Sequence, residues 1–209
     1  NLCVPGKAEV AAVVAKLTGK VAEATEPKYA HIKCRGGNGI AKLAYEYKGV
    51  HDCAAAKIVQ QGPKFCKFGC LGFGNCTRAC PFGAMSMGEN GLPVVNKTLC
   101  TGCGKCASVC PNHVIELLPI SAKVSISCSS KDFGAPAMKN CKALCLGCGS
   151  CMRNCSHQEE GAIKIIDHLA VVNQDICHTC DNATCLTKCP TGAINEMIKG
   201  SFKKEENVG

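Results

Sequence analysis

Tryptophan is absent from the 209 residues, and aromatic residues make up only 4%. So few rings leave no stacking platform of the kind single-strand nucleic-acid binders use, and nucleic acid is not expected as a partner. No apolar run reaches the 18 or more residues of a membrane span, since the best stretch, AEVAAVVAKLTGKVAEA, is interrupted by Lys16 and Lys20. The opening NLCVPGK has neither the basic start nor the apolar stretch of a secretory signal, and the chain reads as a piece of a longer protein. None of the six histidines has a spaced partner that would mark a metal site or a triad. RGGNG at 35–39 lacks the Lys-Ser/Thr of a phosphate loop and reads as a turn. Ordinary apolar residues are scarce too. The 46% hydrophobic share includes 21 cysteines, and without them about a third of the chain is left for an oily core, against a usual 45–50% or so. This disfavours a dinucleotide-binding domain, a barrel enzyme or a channel, and favours small modules held together through sulfur.

Sulfur is what the chain has. Its cysteine density is typical of secreted disulfide scaffolds or of proteins that bind metal or iron-sulfur clusters. An odd count with many cysteines only two residues apart makes poor disulfide material. Zinc sites draw two cysteines from each of two separated knuckles, whereas here three crowd onto one loop in several places. Clusters remain as the reading.

The cysteines are also duplicated. Cys66, Cys70, Cys76 and Cys80 recur at one constant offset as Cys141, Cys145, Cys151 and Cys155, and Cys100 and Cys103 return as Cys177 and Cys180. CKFGCLGFGNCTRAC aligns without gaps on CKALCLGCGSCMRNC, and PVVNKTLCTGC resembles AVVNQDICHTC. The repeat predicts homologous modules at 66–118 and 141–200, with a connecting segment at 34–65, a connector at 119–140 and a charged tail at 201–209. Short alternating runs such as AIKII and AVVN predict two-stranded ribbons. Before them, Val10, Val13, Val14, Leu17 and Val21 predict one amphipathic packing helix within 1–33, with Gly19 a break. The expected fold is α+β: two tandem bacterial-type 2[4Fe-4S] ferredoxin modules with short helices and ribbons, preceded by a small helical N-terminal remnant.

The chemistry lies in the spacing. Cys100, Cys103, Cys106 and Cys110 before Pro111 form the bacterial ferredoxin run, in which three cysteines ligate one cubane and the fourth reaches the partner cluster. Cys145, Cys148, Cys151 and Cys155 repeat it with Ser156 in place of proline, and Cys177, Cys180, Cys185 and Cys189 before Pro190 repeat it with two extra residues between the second and third ligands. In the first run Phe73 stands where Cys148 aligns, and Cys66 is the nearest replacement. The crossed rule then predicts four clusters: Cys66, Cys70, Cys76 with Cys110; Cys100, Cys103, Cys106 with Cys80; Cys145, Cys148, Cys151 with Cys189; and Cys177, Cys180, Cys185 with Cys155. Cys3, Cys34, Cys53, Cys128 and Cys141 are left over. Two readings stand for them: ligands of an extra cluster if the modules face each other, or small buried hydrophobes. Cys34 and Cys128 each follow a short apolar stretch ahead of a module and read as equivalent positions. The formal charge of +8 shrinks to about zero once four clusters of roughly −2 are bound. Lys64, Lys67, Arg78, Lys97 and Lys105 near the predicted clusters are candidates to steer an acidic redox partner.

Nearly the whole chain resembles the B-subunit family of the Rnf complex, the membrane-bound ferredoxin:NAD oxidoreductase that couples electron transfer to ion translocation. The resemblance rests on NLCVPGK, on YEYKGVHDCAAA followed by GPKFCKFGCLGFGNCTRACPFGAM, and on the trailing ferredoxin runs. It implies that Cys3 is the last ligand of an N-terminal cluster whose other ligands lie upstream, together with a membrane helix. It further implies a place on the cytoplasmic face of the membrane, and an electron relay from reduced ferredoxin to the other subunits with no substrate chemistry of its own. The iron-sulfur subunit of a soluble flavin-dependent oxidoreductase is the alternative, and a non-redox scaffold a second.

Overall fold

A computed structural model of the chain describes residues 6–21, 26–180 and 182–197. It opens with helix α1 (Lys7–Thr18), closed by Gly19 at φ 67°, the left-handed conformation glycine adopts without strain. The apolar stripe of α1 is not covered: Val13, Val14 and Leu17 are all exposed, Leu17 at 81%. The packing helix expected from the periodicity is therefore a helix with its stripe open among the described residues. Cys3 lies outside them.

Strand β1 (Lys28–Ile32) follows, then α2 (Cys53–Ile58), α3 (Asn75–Arg78), β2 (Met85–Met87), β3 (Pro93–Val95), α4 (Lys105–Ser108) and β4 (Ile115–Pro119). The second half runs β5 (Val124–Ile126), α5 (Gly134–Asn140), α6 (Ser150–Arg153), β6 (Ile163–Ile166), β7 (Leu169–Val172), α7 (Gln174–Cys177), α8 (Thr184–Thr187) and β8 (Ile194–Glu196). Every sheet is a two-stranded antiparallel ribbon: β1 with β4, β2 with β3, β5 with β8, and β6 with β7. The molecule is thus mixed helix and strand, and its halves repeat one plan. Each has a local hairpin and a second ribbon that joins the start of the half to its end.

That long-range ribbon shifts the boundaries read from the repeat. β1 lies ahead of 66 and β5 ahead of 141, so 119–140 is not a mere connector but holds a strand that pairs with β8. The segment 34–65 is likewise structured. Ala41 bridges Cys141, stitching the two halves, and Leu43 bridges Lys64 within the first. The ribbons β1/β4 and β5/β8 also meet directly. Ser125 donates to Glu116 Oε1 at 3.1 Å and Ser127 Oγ lies 3.4 Å from His31 Nε2, while Asn195 donates to Ser127 at 2.8 Å within the β5/β8 side.

The core is small and sulfur-rich. In the first half Ala30, Met85, Leu92, Val114 and Ile115 close around Cys70, Cys76 and Cys106. In the second, Val124, Ile126, Ile163, Ala170 and Ile194 close around Cys128, Cys141, Cys145, Cys151, Cys177 and Cys185. Cysteine fills the space a larger domain would give to leucine.

Candidate metal centre

All twenty cysteines among the described residues are free thiols, and they gather into sets of four. Cys80, Cys100, Cys103 and Cys106 line one hollow beside Phe82 and Leu117. Cys145, Cys148, Cys151 and Cys189 line another, walled by Ile126, Ile165 and Ile194. Burial first, then the neighbouring thiols of Cys155, Cys177 and Cys180, push Cys185 up to about 12. Ser156 Oγ lies 3.2 Å from Cys180 Sγ in that set. These three sets contain the same residues that the spacing groups together.

The remaining two sets differ from the expectation. Burial pushes Cys76 up to about 11, and the thiols beside it are Cys53, Cys110 and, from the adjoining set, Cys106. Cys70 neighbours Cys76 and is pushed up to about 12, again chiefly by burial. Cys53 therefore lies beside Cys76 with Cys110, where Cys66 was expected. The local chemistry explains how it gets there. Asp52 caps α2 by accepting from the amides of Ala54 and Ala55 at 2.8 and 2.9 Å and accepts from Asn75 Nδ2 at 2.6 Å. Asn75 Oδ1 in turn accepts from the Cys53 amide at 2.9 Å, next to Cys76. Phe73, standing where a ligand would align, packs against Tyr47 and His51 with ring centroids 5.2 and 5.6 Å away. It anchors the segment that carries Cys53, part of an insertion between Cys34 and Cys66 that the stretch between Cys128 and Cys141 lacks.

Cys66 faces the other way, into a hollow lined also by Cys34, Cys128 and Cys141. This set takes two cysteines from each half, Cys34 and Cys66 from the first and their repeat equivalents Cys128 and Cys141 from the second. It lies on the junction between them. Backbone rungs hold the arrangement: Phe65 N–H donates to Lys42 O, Lys42 N–H to Asn140 O and Lys142 N–H to Ile40 O. Arg35, beside Cys34, donates across the junction to the Gly192 carbonyl.

The donor chemistry fits iron-sulfur clusters. Each set offers four cysteine sulfurs, and the junction hollow is lined by Asp132 as well. At the junction a Cβ built on Gly36 would lie 3.4 Å from Cys141 Sγ and 3.7 Å from Cys34 Sγ, and one on Gly69 would lie 3.5 Å from Cys66 Sγ and 3.6 Å from Cys34 Sγ. The glycines leave a cradle between spread sulfurs. Amides point at the sulfurs as clusters need: Cys70 N–H to Cys34 Sγ at 3.3 Å, Ala30 N–H to Cys100 Sγ at 3.4 Å and Ser130 N–H to Cys128 Sγ at 3.4 Å. Burial raises Cys189, but the amides of Ile194, Thr191 and Ala193 and the Thr191 hydroxyl outweigh it and hold the thiol below its ordinary value.

The basic residues near the clusters are mostly engaged. Lys64 is buried, Lys67 donates to Gln60 O and Gly62 O, and Arg78 donates to Phe73 O and Asn75 Oδ1. Lys97 sits 4.4 Å above the Tyr29 ring and donates to Met197 O. Lys105 is exposed. Lys64 and Lys67 thus serve the fold of the first half, while Arg78, though hydrogen-bonded, stays exposed with Lys105.

The 4Fe-4S dicluster domain family matches residues 69–115. Over 99% of its length the chain is 52% identical to the B subunit of the proton-translocating ferredoxin:NAD(+) oxidoreductase complex of Clostridium ljungdahlii, covering 72% of that protein. It is 40% identical over 93% of its length to the B subunit of the ion-translocating oxidoreductase complex of Methanosarcina acetivorans, covering 72% of it. To the B subunit of the Na(+)-translocating ferredoxin:NAD(+) oxidoreductase complex of Acetobacterium woodii it is 37% identical over 95% of its length, covering 58% of that protein. Among the described residues no helix is long and apolar enough to cross a membrane. Identity of this extent, over cysteine sets of this arrangement, shows that the chain belongs to the B-subunit family of ion-translocating ferredoxin:NAD oxidoreductase complexes.

Proposed function

We propose that the chain is the iron-sulfur electron relay of such a complex, accepting electrons from reduced ferredoxin and passing them to its other subunits through two tandem dicluster ferredoxin modules joined by a fifth cluster. The ligand sets are Cys80, Cys100, Cys103, Cys106; Cys53, Cys70, Cys76, Cys110; Cys34, Cys66, Cys128, Cys141; Cys145, Cys148, Cys151, Cys189; and Cys155, Cys177, Cys180, Cys185. The observation that carries the reading is their order. Cys106 neighbours Cys76, Cys70 neighbours Cys34, Cys128 neighbours Cys145, and Cys151 neighbours Cys185. The five sets follow one another in a single line, with the junction set in the middle.

When bound, a [4Fe-4S] cluster in each set supplies a one-electron couple. The chain's own residues do the rest. Thiolates hold iron, amides donate to sulfur, and the apolar walls keep water away, so that each set has its own potential. Cys103 and Cys148 are exposed, and Cys103 belongs to an end set, which makes that end a docking place for a redox partner.

Stopped-flow mixing of the anaerobic, iron-loaded chain with reduced ferredoxin tests this. Rapid bleaching of the visible iron-sulfur absorption, one electron per ferredoxin, is expected. A chain that holds zinc with negligible sulfide, or that ferredoxin leaves oxidised, would refute the proposal.

A further inference from the structure

Lys64 is 6% exposed. Its ammonium donates to the carbonyls of Gly36 at 2.7 Å and Cys70 at 2.8 Å, and the ion pairs among the described residues do not include it. A buried ammonium without a carboxylate is costly unless other negative charge faces it. The two carbonyls belong to two neighbouring cysteine sets. Cys70 is itself a member of one, and a Cβ on Gly36 would touch Cys141 Sγ and Cys34 Sγ of the other. Lys64 also lines the hollow that Cys34, Cys66, Cys128 and Cys141 share. The missing counter-charge is therefore at hand once both sets bind clusters of about −2.

We propose that Lys64 is a positioning residue that sets the electron level at the junction, its buried charge raising the reduction potentials of the Cys53/Cys70/Cys76/Cys110 and Cys34/Cys66/Cys128/Cys141 clusters together. The inference rests on the five-cluster reading above. Reduction adds one electron from an external one-electron donor such as ferredoxin, with no proton or ligand moved, and leaves the set one charge more negative. A fixed cation in a poorly solvated site favours that state. Asp132 supplies the opposite sign. It lines the same hollow as Cys66, so it lowers the potential of the junction cluster.

The test is a potentiometric titration, followed by electron paramagnetic resonance, of the anaerobically purified chain and its variants after iron analysis. Lys64→Gln keeps a donor for the two carbonyls and removes the charge. Full iron is expected, with two potentials lowered by a tenfold change in the reduction equilibrium, or about 59 mV for one electron. Lys64→Arg should leave both in place, and Asp132→Asn should raise one potential several-fold in the same equilibrium. Full iron with every potential unmoved in Lys64→Gln overturns the proposal. If that variant does not hold its iron, Asp132→Asn decides: an upward shift at one cluster supports the electrostatic account and an unmoved set of potentials overturns it. About 16 irons in the unaltered chain, in place of about 20, would contradict the five-cluster reading, and the proposal with it, before any variant is titrated.

Discussion

Alanine in place of Cys53 removes a ligand that only the folded insertion delivers, so the variant is expected to lose about four of about twenty irons while the junction set keeps its own. Cys66→Ala and Cys141→Ala should be equivalent to each other, because both side chains line one hollow. Iron and sulfide analysis counts the loss and electron paramagnetic resonance tells which cluster is gone: a Cys66→Ala chain that loses the same cluster signal as Cys53→Ala would contradict the assignment. His31 is a different kind of residue. It is 5% exposed, and burial, aided by the charges of Lys33 and Lys97, lowers its pKa to about 4 against the bond with Ile126. The folded protein favours the neutral ring, so the stability it confers is present above about pH 6.5 and is lost as pH falls towards 4. The full shift is of order 3 kcal/mol. His31→Gln should flatten the fall in melting temperature over that window, and a variant that falls as steeply as the unaltered chain would refute the role.

At the scale of elements, the three-cysteine loops depend on close backbone approach. Gly147 has φ +60°, and a Cβ there would run into the His168 carbonyl; Gly102, its counterpart, has φ +71° and would run into Lys28 O. Gly147→Ala should cost roughly 1–3 kcal/mol, seen as a lower melting temperature and lost iron, with an unchanged chain contradicting the close approach. These loops were legible in the sequence because their geometry is local: ligand spacing alone brings three sulfurs together. The hairpin β6/β7 was legible for the same reason, its two-residue turn at Asp167 and His168 taking positive φ at both positions. His168 there stacks on Phe133 at 4.5 Å and Asp167 pairs with Lys131 at 2.9 Å. The ribbons β1/β4 and β5/β8 were not legible, since their strands pair across a whole half of the chain with no turn to announce them. Nor was Cys53, whose place depends on Phe73 holding the insertion down. The signal that existed was the cap: an Asp-Cys pair opening a short helix, with Asn75 beside Cys76 ready to receive it.

For the whole molecule, the line of five sets makes the junction indispensable to transfer while leaving the ends intact. Cys34→Ala should preserve reduction of the half that meets ferredoxin and slow reduction of the other half many-fold, which freeze-quench electron paramagnetic resonance would resolve. Equal rates in both halves would mean that electrons reach them separately. The formal charge of +8 falls to about −2 with five clusters of roughly −2 each, so the loaded chain is not the basic protein its composition describes. Iron and acid-labile sulfide counted in the anaerobically purified chain test the central claim most directly. The account predicts about twenty of each per chain, falling to about sixteen in Cys66→Ala. Sixteen in the unaltered chain, with Cys34, Cys66, Cys128 and Cys141 open to alkylation, would contradict it.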